Sequence, residues 1–296
     1  MISKFRIGVL VIILNFFASV AMIWGQDNPS LLQMAVPSLN IAPDARGGGM
    51  GDMGAATLPD INSQYWNAAK YAFMGSKAGV SLSYTPWLRK LVNDVALVNM
   101  TGYYKLGNSD LQAISASLRY FSLGEVNIWE NIGDVPYGLN PYEMAFDVAY
   151  SRKLSESYSM AVTLRYIRSD MGTDQNDESN AGNAFSADIS GYLEKYVLMG
   201  NAEALWSFGF NLSNIGSKIS YDGGNTNQYL PAKLTLGTGL LYPIDDYNQI
   251  GVYLDLNKYM VPYAPQKEEG ETDADYQTRV DDYKSCLLYT SDAADE

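Results

Sequence analysis

The sequence predicts an all-β fold, a transmembrane antiparallel β-barrel, and three observations predict it. Between Gly79 and Asn257, runs of roughly ten residues alternate apolar with small or polar side chains. These runs exceed the five or six residues usual for soluble strands and match the roughly nine to eleven that a tilted strand needs to cross a bilayer. The connections between runs are by turns short and long, as outer-membrane barrels sort periplasmic turns from extracellular loops.

The chain opens as an exported protein does. Lys4 and Arg6 precede an apolar stretch from Ile7 to Ala21, interrupted only by Asn15 and Ser19, with small residues at Ala18, Ala21 and Gly25. Residues 1–25 therefore read as a signal peptide, cleaved near Gly25/Gln26 or Ala21/Met22, because the apolar core is short for a spanning helix.

Residues 26–77 do not alternate and are glycine-rich, with five glycines between positions 47 and 54. Gly49-Met50-Gly51-Asp52-Met53-Gly54 fits a G-x-G-x-x-G string, but no strand precedes it and no βαβ unit follows, so a dinucleotide site is not expected. The segment is expected to plug the lumen, with Asp44, Arg46 and Lys70 meeting polar walls. Gly47, Gly49, Gly51, Trp66 and Asn67 are further candidates for plug contacts. A plain periplasmic tail is the alternative.

The ladder follows, with strands expected near 78–85, 93–105, 111–121, 143–153, 157–169, 183–195, 203–213, 233–242 and 248–257. In the fifth, Met160, Val162, Leu164 and Tyr166 face one way and Ser159, Ala161, Thr163 and Arg165 the other, the period of two that a strand imposes. The third, fourth and seventh repeat this, and each has one face suited to hydrocarbon and one to a crowded polar lumen. Short connections are expected at 107–110, 154–156, 196–202 and 243–247. Mostly long ones fall at 86–92, 122–142, 170–182, 214–232 and beyond 258. Tyr103, Tyr104, Tyr120, Tyr150, Tyr166 and Tyr192 lie toward strand ends, where interfacial aromatic girdles sit. Trp129, Tyr137 and Tyr142 in one long connection, and Tyr221 and Tyr229 in another, are the candidates for binding a protein partner.

Nine strands is an odd number and leaves two edges unpaired, which lipid does not tolerate. Residues 78–285 are therefore expected to be a partial barrel. The final stretch, Cys286 to Glu296, resembles the translation of a sequencing-library adapter and is set apart as an artefact; it holds the chain's only cysteine.

Composition removes several functions. The chain has no histidine, so Ser-His-Asp triads and the usual zinc sites lack an essential residue. A formal charge of −13 opposes nucleic-acid phosphates. The pairs Asp245-Asp246 and Asp281-Asp282, and the group Asp174, Asp177 and Glu178, read as solvated loop acids rather than catalytic or metal-binding sets. No catalytic residue, cofactor or metal is assigned.

Four separated blocks, Ala42–Gly51, Tyr84–Arg89, Ser115–Phe121 and Asn214–Tyr221, together with the acidic stretch Pro265–Glu271, resemble the PorV (LptO) family of outer-membrane shuttle proteins of type IX secretion. The likeness spans about 35–285. It implies a FadL-like barrel, fourteen-stranded in the family. It also implies partners: cargo proteins with C-terminal secretion signal domains, the translocon barrel, the sortase or attachment complex, and outer-membrane lipid or lipopolysaccharide. Relatives in the wider group carry an Asn-Pro-Ala motif in the plug; here Asn67-Ala68-Ala69 stands in that place, so the motif's gating role is not carried over. The alternative function is FadL-like transport of hydrophobic small molecules, which calls for an apolar lumenal pocket.

Overall fold

The computed structural model describes residues 33–87, 90, 94–107, 110–128, 136–172, 181–200, 202–221, 227–262, 264–267 and 270–285, and all structural statements here concern those residues. The expected signal peptide, Trp129, the acid group at 174–178 and the tail from 286 lie outside them.

The strands, in chain order, are β1 (Ala78–Pro86), β2 (Val95–Leu106), β3 (Gln112–Leu123), β4 (Val126–Ile128), β5 (Tyr137–Leu139), β6 (Tyr142–Lys153), β7 (Tyr158–Asp170), β8 (Gly182–Met199), β9 (Ala202–Gly216), β10 (Lys233–Pro243) and β11 (Gln249–Tyr259). β4 and β5 form a separate hairpin; the other nine make one antiparallel sheet in which each strand pairs with its neighbours along the chain. All nine expected strands are present. One boundary differs. The 196–202 connection is shorter than expected, because Tyr196, Val197, Leu198 and Met199 stay paired with Leu205, Ala204, Glu203 and Ala202. A two-residue hairpin connection leaves fewer backbone groups without partners than a seven-residue one.

Burial across the sheet runs opposite to that of a soluble protein. On β7, Val162 and Leu164 are 50 % and 66 % exposed, while Thr163 and Arg165 between them are 2 % and 6 % exposed. The same inversion recurs on β3 and β6, where Leu118, Phe146 and Val148 face outward and Ser117, Arg119 and Asp147 are buried. An apolar exterior around a polar interior is what hydrocarbon surroundings select. Among the described residues no helix is long and apolar enough to cross a membrane, a statement that leaves strands untouched.

What buries the polar face is the chain's own N-terminal segment. It carries a 3-10 turn at Pro37–Asn40, short helices at Ala45–Gly49 and Ser63–Trp66, and a second 3-10 stretch at Ala68–Phe73. The segment touches both edge strands: Ser83 on β1 donates to the Pro43 carbonyl, and Asp255 on β11 accepts from the Gly54 and Ala55 amides. A sheet whose two edges meet the same fifty or so residues is wrapped around them. Among the described residues β1 and β11 have no further strand partners, so the sheet is not closed.

Two tyrosines depart from the girdle expectation. Tyr103 and Tyr192 are 5 % and 0 % exposed; Tyr103 stacks on Tyr71 and Tyr192 meets Phe73 edge-on. Strand parity explains it. Tyr103 shares its face with Asn99 and Thr101, and Tyr192 with Asp188 and Ser190, so both point inward. Tyr104, Tyr120 and Tyr150 are 41–49 % exposed on the outer face, as expected.

Candidate functional site

The interface between the N-terminal segment and the polar face concentrates the buried charge, and the candidate plug residues all fall on its segment side. Asp44 caps the Ala45–Gly49 helix: its carboxylate accepts from the Gly47 amide at 2.8 Å, and its other oxygen from the Trp66 indole at 3.0 Å. The indole is sandwiched by Gly47 and Gly54, where any Cβ would collide with its ring atoms. Gly49 ends that helix in open space, and Gly51 turns the chain at φ 76°. Asn67 works as a three-way stitch. Its amide nitrogen donates to the carbonyls of Ala55 and Gly191, both at 2.9 Å, and its oxygen accepts from the Ala69 amide. Lys70 is fully buried and donates to the Gly54 carbonyl at 2.8 Å and Thr57 Oγ1 at 3.1 Å; burial pushes its pKa down to about 8. Burial also pushes the Tyr65 and Tyr71 phenols up.

Asp44, Arg46 and Lys70 therefore do not meet the sheet walls as expected. Arg46 ion-pairs with Asp60, and the other two bond within the segment itself. Short helices and turns leave many orphan amides and carbonyls, and Asp44 and Lys70 satisfy two of them locally. The walls instead reach to the segment's backbone. Arg119 donates to the Ser38 and Ile41 carbonyls at 2.7 and 3.0 Å, Ser207 to Ala56, Ser159 to Ala69 and Asn211 to Trp66. Glu143 accepts from the Ser38 amide at 3.0 Å. Gly209 lets β9 approach so closely that a Cβ there would strike the Ala55 carbonyl.

At the centre of the wall lies a cluster that sequence reading did not single out. Arg165 Nε donates to Asp147 Oδ1 at 2.6 Å and its Nη2 to Asp188 Oδ2 at 2.9 Å, while Nη1 meets Asn214 Oδ1. Asp147 also accepts from Ser117 Oγ, and Asp188 from the Asn214 amide. A register shift between Ala187 and Ile189 places Asp188 at an irregularity in β8, the sort of bulge that re-aims a side chain. All three charged groups are at least nine-tenths buried. The available signal was parity: Asp147, Arg165 and Asp188 each occupy the inward face of three successive strands.

Beside this cluster is a cavity of about 30 Å³, lined by Arg119, Asp147, Arg165, Asn214, Lys233 and Asp255 among others. That is room for one or two waters, and the lining mixes these charged groups with Leu39, Ala55, Tyr65 and Trp66. An apolar hollow lies instead on the outward face, between Val80, Met100, Leu118, Phe146 and Val148. No group of residues suited to hold a metal ion occurs among the described residues.

The loop candidates are placed differently from one another. Tyr142 opens β6, stacks on Tyr120 at 5.5 Å and accepts from Arg168 Nε, so it sits at the rim of the outer face. Tyr137 begins β5 in the hairpin. Tyr221 is half-buried, its hydroxyl 3.0 Å from Ser169 Oγ, and burial raises its pKa. Tyr229 is 4 % exposed, its ring covered edge-on by Tyr283 with Lys218 4.2 Å from its centroid.

The protein-family model described as type IX secretion system protein PorV matches residues 25–267. The chain belongs to the PorV family. The match takes in the N-terminal segment and every strand of the sheet, and it makes the protein a component of type IX secretion. No curated protein sequence matches the chain. The helix at Asp273–Ser285 lies beyond the stretch matched by the PorV family.

Proposed function

We propose that the protein is an outer-membrane barrel of FadL-like architecture, about fourteen strands when complete, with residues 26–77 as its plug and 78–285 as part of its wall. It binds the C-terminal signal domain of secreted cargo at its long-loop end. It then passes that cargo from the translocon barrel to the sortase or attachment complex, without a catalytic step of its own. The observation that carries this reading is the family match over 25–267. The inside-out sheet supports a place in a membrane, and the alternation of short turns with long connections supports an outward face for the latter. Within that face the proposed contacts are Trp129, Tyr137, Tyr142, Tyr221 and Tyr229; Tyr229 takes part once Tyr283 moves off its ring.

The cavity beside the buried cluster, about 30 Å³, is too small for an acyl chain and so lends no support to the rival reading, transport of hydrophobic molecules. Affinity isolation of the full-length protein from outer membranes tests the proposal. Cargo retaining its signal domain, together with the translocon, is the expected yield. Recovery of the folded protein with neither would sink it.

A further inference from the structure

At the short-turn rim the strands do not all end together. Gln112, the first residue of β3, pairs with Arg152, one residue from the end of β6, so those two finish flush. β7 begins at Tyr158, opposite Leu193, whereas β8 runs on to Met199. Residues 194–199 are therefore paired on one side, to β9, and open on the other. The Glu194 amide still reaches the Ser157 carbonyl at 2.9 Å, and that bond fixes the alternation beyond it. The N–H and C=O of Tyr196 and Leu198 point to the open side, and those of Val197 point to β9. The main-chain donors and acceptors of Tyr196 and Leu198 have no strand partner there among the described residues.

The side chains at the same two positions are 67 % and 75 % exposed. They share the inward parity of Ser190 and Tyr192, so they do not face hydrocarbon as girdle residues would. The inward face also changes character on the way down. Part-way along the strands one row reads Ser190, Asn211 and Thr235; at this level it reads Tyr196, Leu205 and Leu241. Natural edge strands are blunted by charge or proline, and residues 196–199 carry neither.

We infer that the 194–199 edge of β8 is a strand-addition site whose occupant is an extended segment of a partner protein, apolar at alternate positions. The open main-chain groups select a strand, since an acyl chain has no N–H or C=O to offer them. Side chains two apart on that strand lie against Tyr196 and Leu198 on the inward face. From the functional reading the inference takes only the side of the membrane, the periplasm for the short turns; the open edge stands without it.

The test is amide exchange, followed by NMR on the full-length protein in lipid nanodiscs, with and without a synthetic peptide of alternating valine and threonine. Without peptide, the Tyr196 and Leu198 amides should exchange about tenfold faster than that of Val197. With peptide they should slow by a similar factor, while the amide of Tyr247, 95 % exposed in the next short turn, is unchanged. The same peptide N-methylated at alternate residues should do nothing. Tyr196→Pro removes a donor from the open side and spares the pairing of Val197 with β9, so it should abolish the response in a protein that still folds by its mobility on unboiled gels. Slow exchange at both amides without peptide means that the chain covers its own edge, and slowing that grows with protein concentration means that a second copy does. Either result, or no response to the peptide, overturns the inference. Leu198→Cys in the chain with Cys286→Ser should react with an impermeant maleimide only after lysis. Labelling in intact cells would overturn the periplasmic placing of the partner, and with it the orientation in the functional reading, while the exchange result still decides the edge.

Discussion

Arg165→Met tests the buried cluster most sharply. The side chain bridges two carboxylates that are 9 % and 5 % exposed, at 2.6 and 2.9 Å. Each such pair is worth about 4 kcal/mol of Coulomb energy at 4 Å and an effective dielectric of 20, against which stands the cost of keeping three charges from water. Removing the cation leaves two buried carboxylates facing each other, and breaking a buried pair in this way costs about 3–5 kcal/mol. With a urea slope near 2 kcal/mol per molar, the unfolding midpoint should fall by about 2 M. The assay is equilibrium urea unfolding of the full-length protein in lipid vesicles, read by tryptophan fluorescence and by the mobility of unboiled samples on gels. Asp147→Asn and Asp188→Asn, which leave one pair intact, should each cost less. The triple variant Asp147→Asn/Arg165→Met/Asp188→Asn should regain stability over Arg165→Met, because no uncompensated charge remains. A loss below about 1 kcal/mol for Arg165→Met, or a triple variant weaker than the single, would show that the cluster is not what ties these strands together.

Gly209→Val should drive a side chain into the Ala55 carbonyl and cost about 1–3 kcal/mol by overpacking, while loosening the N-terminal segment enough for protease to cut it; unchanged proteolysis would contradict the close approach. Lys70 links stability to pH. Its folded pKa of about 8 lies below the ordinary 10.5, so the unfolded chain binds more protons between those values. The penalty is full below pH 8 and is relieved by about 3 kcal/mol as pH rises through that window. Lys70→Met should abolish that rise relative to the wild type, and parallel pH profiles of the two proteins would refute it. Leu164→Arg, on the outward face, should cost about 2–4 kcal/mol if that face meets the middle of a bilayer. Insertion as efficient as the wild type's would place Leu164 elsewhere.

The nine strands were legible because alternation is a local signal, sharpened here by an apolar outward face and a polar inward one. Residues 160–166 announce themselves without reference to any other strand. What escaped was anything needing register. Arg165 was visible as one inward polar residue, but its partners lie on the two neighbouring strands, in rows fixed by pairings such as Arg165↔Asp147. Tyr103 and Tyr192 were misread because nearness to a strand end was weighed without parity. That the stretch before the ladder is built differently could be read from the loss of alternation, but the partners of Asp44, Arg46 and Lys70 could not. The amide, carboxylate and carbonyl they meet come together only once the short helices are drawn.

The wrapped geometry also constrains the order of assembly. A sheet lined with Arg119, Ser159, Ser207 and Asn211 has these inward donors answered by backbone carbonyls of residues 38–69. Strands entering hydrocarbon without that backbone would carry these groups unpaired, a penalty of about 1–3 kcal/mol apiece. On that count the N-terminal segment is expected to serve as a mandrel on which the strands are wound rather than as a cork fitted afterwards. A chain lacking residues 34–73 should give no folded species on unboiled gels, whereas a cork could be omitted and leave the wall standing.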